Sequence, residues 1–276
     1  MLPEKVVKIL EEMKNEKIRG ASWMAKKGAE AFILLSEELD ETSLEEGIIE
    51  LKREILEINP SMASLYNLAM FIPITNDREV VKLRAEEFIK RAEEAKKEIA
   101  SIGAQLIDSG DVIITHSYSS AVFEILKTAK RRGKQFKVIL TESAPDYEGL
   151  YLAKALQDES IEVEIITDAQ LGLFAKDATL AIVGADTVTK DGYVVNKAGT
   201  YLLAISCYES EVPFYVAAET YKFHQKITSK EVELVERPLY REGSRVRNVL
   251  FDITPWKFIR GIITELGIIL PPRDMI

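Results

Sequence analysis

The stretch IITHSYSSAVFEIL, residues 113–126, changes character in its middle, where an apolar run gives way to hydroxyl side chains. Residues 113–115 have the continuous apolar character of a strand that is buried on both faces. Ser119 or Ser120 is suited to cap a helix that begins with AVFEIL, because a serine hydroxyl accepts hydrogen bonds from the first free amides of a helix. The stretch therefore predicts a strand, a turn and a helix, which is the repeating unit of an α/β fold.

The same unit recurs after Gly110. Further short apolar runs are KVILT (137–141), EVEIIT (162–167), TLAIVGAD (179–186) and PFYVAAE (213–219), with helical patterns between them. Apolar strands that alternate with helices predict a parallel sheet covered on both faces. Residues 110–276 are therefore predicted to form a Rossmann-like α/β domain.

The first part of the chain has a helical period instead. In SWMAKKGAEAFILLSEEL (22–39), apolar residues recur at steps of three and four, and a longer amphipathic pattern runs from residue 78 to 107. Before GIIELKREILEI (47–58), the pairs Thr42/Glu45 and Ser43/Glu46 have the spacing of a capping box. Residues 1–109 are predicted to form an amino-terminal helical domain.

Composition excludes several classes of protein. The 276 residues carry a net charge of -9, so no basic stripe is available for direct nucleic-acid binding. The single cysteine, Cys207, excludes an internal disulfide and fits a reducing compartment. The amino terminus lacks the apolar core of a signal peptide, and the apolar run at 180–185 is too short to span a bilayer. A cytoplasmic protein with no membrane contact is expected.

Polar residues follow every predicted strand. Ligands of open α/β sheets bind beyond the carboxyl ends of the strands, so these residues predict a crevice along one edge of the sheet. They are Thr115, His116, Ser117, Thr141, Glu142, Thr167, Asp168, Asp186, Glu219 and Thr220.

The hydroxyl-rich turn at 115–120 has more than one interpretation. It lacks the G-x-S-x-G of a hydrolase elbow, and only His116 or His224 could act as the base of a catalytic serine, so a nucleophile is disfavoured. The turn then either caps a helix and does nothing more, or also binds an anion at the helix amino terminus.

A second candidate site lies in VGADTVTKDGYVVNKAGTYLLA, residues 183–204. Asp186 follows an apolar strand, a hairpin-like turn is expected at 191–192, and Asn196 and Lys197 precede a helix start. A lysine beside a helix amino terminus suits a phosphate or carboxylate. The alternative is a structural turn with a surface lysine.

The third candidate is AAETYKFHQK (217–226), in which Lys222 lies between aromatic residues. Lys222 either binds a ligand or packs against these aromatic rings with its charged end in solvent. His224 has no neighbouring cysteine or second histidine, so no metal site is predicted. Cys207, in the middle of a helical pattern, is expected to be a core residue.

These segments resemble one superfamily. The runs VGADTVTKDGYVVNKAGT, AAETYKF, ITHSYSSAV and FDITP…IITELGIILPP are similar to the alpha, beta and delta subunits of translation initiation factor 2B, in an archaeal-type member. The superfamily also contains isomerases that act on methylthioribose 1-phosphate and ribose 1,5-bisphosphate. The resemblance implies a helical domain before a Rossmann-like domain and association into dimers or larger homo-oligomers. No cofactor is expected.

The resemblance also implies roles for individual residues. Arg19, Gly20 and Ala21 match the phosphate-binding Arg-Gly-Ala motif of the isomerases. The remaining matches are Asp186, at the acidic catalytic position, the Asn196–Lys197 pair, and Lys222.

Three positions depart from the isomerases. Ser117 stands where they carry a catalytic cysteine, and a serine hydroxyl is a far weaker acid than a thiol with a pKa of about 8.5. Asn59 and Ala144 stand where they have arginines. The initiation-factor subunits, by contrast, share T-H-x-Y-S and E-S-x-P-D with this chain.

The sequence therefore predicts a non-catalytic, initiation-factor-2B-like regulatory subunit with a pocket for a nucleotide or sugar phosphate. It would act through protein contacts, with initiation factor 2 as the candidate partner, and Ser117 would form part of the pocket rim. The alternatives are a ribose 1,5-bisphosphate isomerase that uses Asp186, and a scaffold without a small ligand.

Overall fold

The computed structural model describes residues 1–270 of the chain. Its first part is helical and comprises α1 Glu4–Asn15, α2 Ala21–Glu38, α3 Glu41–Ile58, α4 Ala63–Phe71 and α5 Arg78–Gly103. The apolar faces of these helices meet in one core, in which Phe32, Leu35 and Leu51 are fully buried. The predicted helical amino-terminal part is confirmed.

The capping box expected at the start of α3 is wrong. The cap is Asp40, whose carboxylate accepts a hydrogen bond from the amide of Ser43 at 3.0 Å. Thr42 and Ser43 therefore lie inside the first turn of the helix. A carboxylate at this position both satisfies a free amide and places negative charge at the positive end of the helix dipole.

After α5 the chain alternates between strands and helices. The elements are β1 Val112–Thr115, α6 Ser120–Arg131, β2 Lys137–Thr141, α7 Glu148–Asp158, β3 Glu162–Ile166, α8 Leu171–Phe174, β4 Leu180–Gly184, β5 Thr187–Val188, β6 Val194–Lys197, α9 Thr200–Glu209, β7 Phe214–Ala217, β8 Leu239–Arg241, β9 Ser244–Val246, β10 Phe251–Thr254, β11 Gly261–Thr264 and β12 Gly267–Ile269. The five predicted strands are β1, β2, β3, β4 and β7. The last residues of the predicted 110–276 domain, with the final PP of IITELGIILPP, lie outside the described part.

The main sheet has seven strands in the order β12-β11-β7-β4-β1-β2-β3. All neighbours are parallel except β11 and β12. The central strand β4 is buried along its whole length, whereas the edge strand β3 exposes Glu162. Ile113 and Ile114 enter different hydrophobic cores, one on each face of the sheet. This is the α/β fold that the apolar strands predicted.

The order of the strands fixes where a ligand crevice forms. From β1 the chain moves outward to β2 and β3, and then returns to place β4 on the other side of β1. At such a reversal the connections leave adjacent strands in opposite directions and open a crevice at their carboxyl ends. Ser117 follows β1 and Asp186 follows β4, so both lie at this crevice.

Smaller elements surround the crevice. Strands β5, β6 and β10 form an antiparallel sheet, and the expected hairpin turn is present between β5 and β6, with Gly192 at φ 81°. Residues 228–250, which include the β8–β9 hairpin and are called the strap below, cross from the sheet toward the helical part.

Helix α5 contributes Phe88 to the helical core and Ile99 to a core of the sheet. The division into domains at residue 109 stays a prediction. No helix among residues 1–270 is both long and apolar enough to cross a membrane.

Candidate functional site

A cavity of about 480 Å³ opens where the start of α2 meets the carboxyl ends of β1 and β4. It draws together residues that lie far apart in the sequence. The residues that the sequence resemblance assigned to catalysis or ligand binding all line it: Arg19, Gly20, Ala21, Ser117, Asp186, Asn196, Lys197 and Lys222. Of the ten polar residues predicted along the edge of the sheet, only Ser117 and Asp186 line this cavity.

Two helix amino termini contribute their first turns to the cavity. Helix α2 begins directly after Gly20, and α6 begins after Ser119, whose hydroxyl accepts a hydrogen bond from the amide of Val122 at 3.3 Å. Ser119, one of the two expected caps, is thus the cap of α6. The first amides of a helix have no partner within the helix and carry partial positive charge, so this arrangement favours an anion.

The backbone amide and the side-chain hydroxyl of Ser117 both form hydrogen bonds within the protein. Its backbone is left-handed, with φ 66°, and its amide donates a hydrogen bond to the hydroxyl of Ser143 at 2.9 Å. Its own hydroxyl donates to Oε1 of Glu148 at 3.1 Å, and the residue is only 8% exposed. The hydroxyl is therefore part of a buried network.

His116 does not act as a base for Ser117. Its Nε2 lies 2.9 Å from the carbonyl oxygen of Ala198, and its Nδ1 lies 2.6 Å from the hydroxyl of Thr141. A carbonyl oxygen only accepts, so Nε2 carries the proton and Nδ1 accepts from Thr141. Burial lowers the pKa of His116, although Ala198 and Asp168 act in the opposite direction. The ring is a neutral structural group, so His116 cannot serve as the base of a catalytic serine. His224, the other candidate base, does not line the cavity. The structure therefore gives no support to the serine-nucleophile interpretation of the 113–126 stretch.

The partner of Ser117 belongs to a charged network that sequence reasoning missed. Glu148, 2% exposed at the start of α7, accepts from Ser117 and pairs through Oε1 with Nζ of Lys197 at 2.7 Å. Lys197 also lies 3.4 Å from Oδ2 of Asp146, and Nη1 of Arg237, from the strap, lies 3.2 Å from the same oxygen. All of these side chains line the cavity.

Asp186 is the acidic group at the end of β4. Its Oδ1 accepts a hydrogen bond from the amide of Ala21 at 3.3 Å, which ties the start of α2 to the sheet. Burial raises the pKa of this carboxyl, while the charges of Lys222 and Lys197 and the amide of Ala21 act to lower it. Asp186 therefore holds a proton more readily than an exposed aspartate does.

Lys222 is neutralised by a buried carboxylate. Its Nζ lies 2.8 Å from Oε2 of Glu219, and Ser22 donates to the other oxygen of that carboxylate at 3.1 Å. Burial acts to raise the pKa of Glu219, but the adjacent Lys222 keeps it below its usual value. Asn196 is fixed in a similar way, since its amide group donates to the hydroxyl of Thr200 at 2.9 Å.

Arg19 lies at the exposed mouth of the cavity. Its Nε lies 2.8 Å from Oε2 of Glu16, and its guanidinium covers the ring of Trp23 at 4.3 Å. Asn59, which the sequence resemblance matches to an arginine of the isomerases, lines the cavity, and its side-chain oxygen accepts a hydrogen bond from the amide of Ser61 at 3.2 Å. Its amide side chain adds no positive charge.

The lone thiol is remote from this chemistry. Cys207 is fully buried in α9 among residues of the sheet core, and burial raises its pKa to about 12. The expected core role of Cys207 is confirmed. Since the chain has one cysteine, no thiol lines the cavity.

Comparison with known proteins gives two kinds of relative. The model of the initiation factor 2 subunit family matches residues 17–271. The crystal structure of the Pyrococcus horikoshii OT3 translation initiation factor eIF-2B has 68% sequence identity, a TM-score of 0.97 and coverage of 100% of both chains. A ribose 1,5-bisphosphate isomerase from Methanocaldococcus jannaschii is 38% identical over 277 residues, which cover 95% of this chain and 90% of that protein.

A more distant match is a chain of the tetrameric eIF2B-beta2-delta2 complex from C. thermophilum. It is 18% identical, with a TM-score of 0.77, and the match covers 95% of this chain and 89% of that one. At this identity the likeness concerns the fold alone.

Proposed function

This chain belongs to the initiation factor 2 subunit family, and we propose that it is a non-catalytic, initiation-factor-2B-like regulatory subunit whose cavity binds a nucleotide or sugar phosphate. It needs no cofactor in this role. It acts in the cytoplasm, in translation initiation, through contacts with other proteins, with initiation factor 2 as the candidate partner and no direct contact with nucleic acid.

The observation that carries the proposal is the chemistry at Ser117. Moving a proton between two carbons of a sugar needs an acid or base that titrates near neutral pH. The Ser117 hydroxyl does not titrate in that range, and it is bonded to a carboxylate that already has a cation as partner. The only thiol of the chain is buried elsewhere.

The cavity nevertheless has the features of a phosphate site. Two helix amino termini reach it, and Arg19, Lys197, Lys222 and Arg237 bring positive charge to its wall. A bound phosphate would compete for these cations with the carboxylates that now hold them. This supports a regulatory ligand that binds reversibly.

Exposed apolar side chains support association with other subunits. Leu173 on α8 and Tyr208 on α9, two helices that contact each other on one face of the main sheet, are 56% and 61% exposed. Large exposed apolar side chains on adjoining helices are typical of surfaces that contact other proteins. We propose a homo-oligomer of two or more subunits, in line with the tetrameric complex in which a chain of the same fold occurs.

The second candidate is an aldose–ketose isomerase that acts on ribose 1,5-bisphosphate, as the relative from Methanocaldococcus jannaschii is named. One observation favours it: Asp186, at the catalytic position of the isomerases, has a raised pKa and lines the cavity. This candidate requires turnover by the wild-type chain that disappears in Asp186→Asn.

The deciding experiment compares wild type with Ser117→Cys, both incubated with ribose 1,5-bisphosphate and assayed for the ketose product. Cys207 is present in both proteins, so any gain of activity belongs to position 117. We expect an inert wild type, and turnover by the variant would identify the cavity as an isomerase site that lacks its thiol. Turnover by wild type would overturn the non-catalytic proposal.

A scaffold without a small ligand is tested by thermal unfolding. A ligand present at a hundred times its Kd stabilises the folded state by about 2.7 kcal/mol. No stabilisation by any nucleotide or sugar phosphate would favour the scaffold.

A further inference from the structure

Asp146 lies between two cations of the cavity. Its Oδ2 is 3.2 Å from Nη1 of Arg237 and 3.4 Å from Nζ of Lys197. Charge-assisted hydrogen bonds are usually about 2.7–2.9 Å long, so both contacts are loose. Lys197 makes its short contact, 2.7 Å, with Glu148 instead. Asp146 is the weakly held member of the network.

The arrangement is also one that a phosphate oxygen adopts. A guanidinium and an ammonium that share one anionic oxygen form a common phosphate-binding pair, because the guanidinium fork matches phosphate geometry and the ammonium adds a point charge. Asp146, Lys197 and Arg237 all line the cavity. An incoming phosphate would meet the same two cations.

We propose that Asp146 holds the place of a ligand phosphate. On binding, a phosphate oxygen replaces Asp146 on the guanidinium of Arg237, which then clamps the phosphate from the strap. This inference rests on the proposed function, to which it adds a phosphate-binding residue, Arg237, and an internal competitor, Asp146.

The backbone of the strap holds Arg237 in place for this role. The amide of Arg237 donates to the carbonyl of Asn248 at 2.9 Å, and the amide of Leu250 donates to the carbonyl of Val235 at 3.0 Å, so two passes of the strap are joined at Arg237 and two residues before it. The amide of Glu233 donates to the hydroxyl of Ser61 at 2.7 Å, which fixes the strap to the helical part. The side chain of Arg237 is 30% exposed and within reach of a ligand.

Arg237 also offers a replacement for missing charge. The sequence resemblance matches Asn59 and Ala144 to arginines of the isomerases, and of these two residues only Asn59 lines the cavity. Arg237, supplied by the strap, brings a guanidinium to the cavity from a different element.

Isothermal titration calorimetry of two probes, ribose 1,5-bisphosphate and AMP, tests the inference. The variants are Arg237→Ala, Arg237→Lys and Asp146→Asn. The matched control is Arg245→Ala, because Arg245 lies on the strap but pairs with Glu236 and does not line the cavity. Thermal unfolding of each variant checks that it is folded.

For the probe that wild type binds, we expect Arg237→Ala to raise Kd at least tenfold and Arg237→Lys to raise it less. Asp146→Asn should lower Kd, because the competitor has lost its charge, and Arg245→Ala should leave Kd unchanged. A folded Arg237→Ala that binds as wild type does would overturn the clamp and leave the proposed function standing. If Asp146→Asn binds the probe more weakly than wild type does, Asp146 does not compete with the phosphate. If wild type binds neither probe, both the clamp and the phosphate pocket are overturned.

Discussion

The hydroxyl of Ser117 donates a hydrogen bond to Oε1 of Glu148 at 3.1 Å, and the same carboxylate oxygen pairs with Lys197 at 2.7 Å. Ser117, which the sequence resemblance matches to the catalytic cysteine of the isomerases, is thus part of a buried hydrogen-bond network. The side chain of Glu148 is 3% exposed and that of Lys197 13% exposed, so neither charge is well solvated. The network joins the segment after β1 to the start of α7 and the end of β6.

Replacing Glu148 by glutamine should destabilise the protein by about 2–4 kcal/mol, because removal of one partner leaves the other charge buried without full compensation. Chemical denaturation measures the change. The double variant Glu148→Gln/Lys197→Met should recover part of the loss.

The matched control is Glu164→Gln, which removes an exposed partner of Lys137 on the sheet and should leave the stability almost unchanged, because solvent screens an exposed ion pair. If Glu148→Gln and Glu164→Gln lower the free energy of unfolding by the same amount, the buried network does not stabilise the fold as we expect.

Gly199 should not tolerate a side chain. Its φ is 114°, and a Cβ at this position would lie 2.6 Å from Nε2 of His116. We expect Gly199→Ala to lose at least about 2 kcal/mol of unfolding free energy, from backbone strain and displacement of the histidine. Gly20→Ala is the comparison, since its Cβ would meet Oδ1 of Asp186 at an ordinary 3.6 Å. Thermal and chemical unfolding should separate the two variants, and similar losses would contradict the close packing at Gly199.

Cys207 should be inert in the folded protein. Burial raises the pKa of its thiol to about 12, so almost no thiolate exists at pH 8. Iodoacetamide at pH 8 should leave the folded chain unmodified in mass spectrometry and should alkylate it in concentrated guanidinium chloride. Rapid alkylation of the folded chain would show that the thiol is available for chemistry.

Asp252 should make stability depend on pH. Its Oδ2 accepts from the amides of Gly199 and Tyr201 at 2.7 and 3.0 Å, but burial outweighs these bonds and raises its pKa to about 6. The folded state binds the proton more tightly than the unfolded state, so the contribution of Asp252 is present below pH 4 and is lost as pH rises through about 6.

Asp252→Asn keeps an acceptor without the charge. Its stability relative to wild type should rise by about 2 kcal/mol between pH 4 and pH 7, at 1.36 kcal/mol per unit of pKa. A difference that stays flat across this range would contradict the buried charge.

Patterns within short segments predicted much of the fold. The strand β4 and the helix α6 follow directly from LAIVG and from a serine cap before AVFEILKTAKR, because both signals lie within a dozen residues. The candidate residues Ser117 and Asp186 could be placed at one crevice because the carboxyl ends of parallel strands share an edge. In the small sheet, the turn between β5 and β6 was predicted from Asp191 and Gly192, whereas the pairing of β10 with β6 depends on contacts between distant segments and has no local sequence pattern.

The charged network could not be read from the sequence for the same reason. Glu148 has the pattern of an ordinary residue in the first turn of a helix, and its burial depends on a loop in which Ser143 and Tyr147 have left-handed backbones. Arg237 reaches Asp146 across 91 positions of sequence, from a strap with weak periodicity. The E-S-x-P-D motif identified the loop, but it did not predict that its aspartate, Asp146, contacts Lys197 and Arg237.

The most direct test of the central claim follows ribose 1,5-bisphosphate and AMP, each mixed with wild-type protein, by phosphorus NMR. We predict that the phosphate signals of at least one probe broaden or shift in proportion to added protein, and that the ribose 1,5-bisphosphate remains an aldose throughout. Ketose signals that grow with time would contradict the non-catalytic assignment. If added protein changes neither the position nor the width of the phosphorus signals of either probe, the phosphate pocket is contradicted.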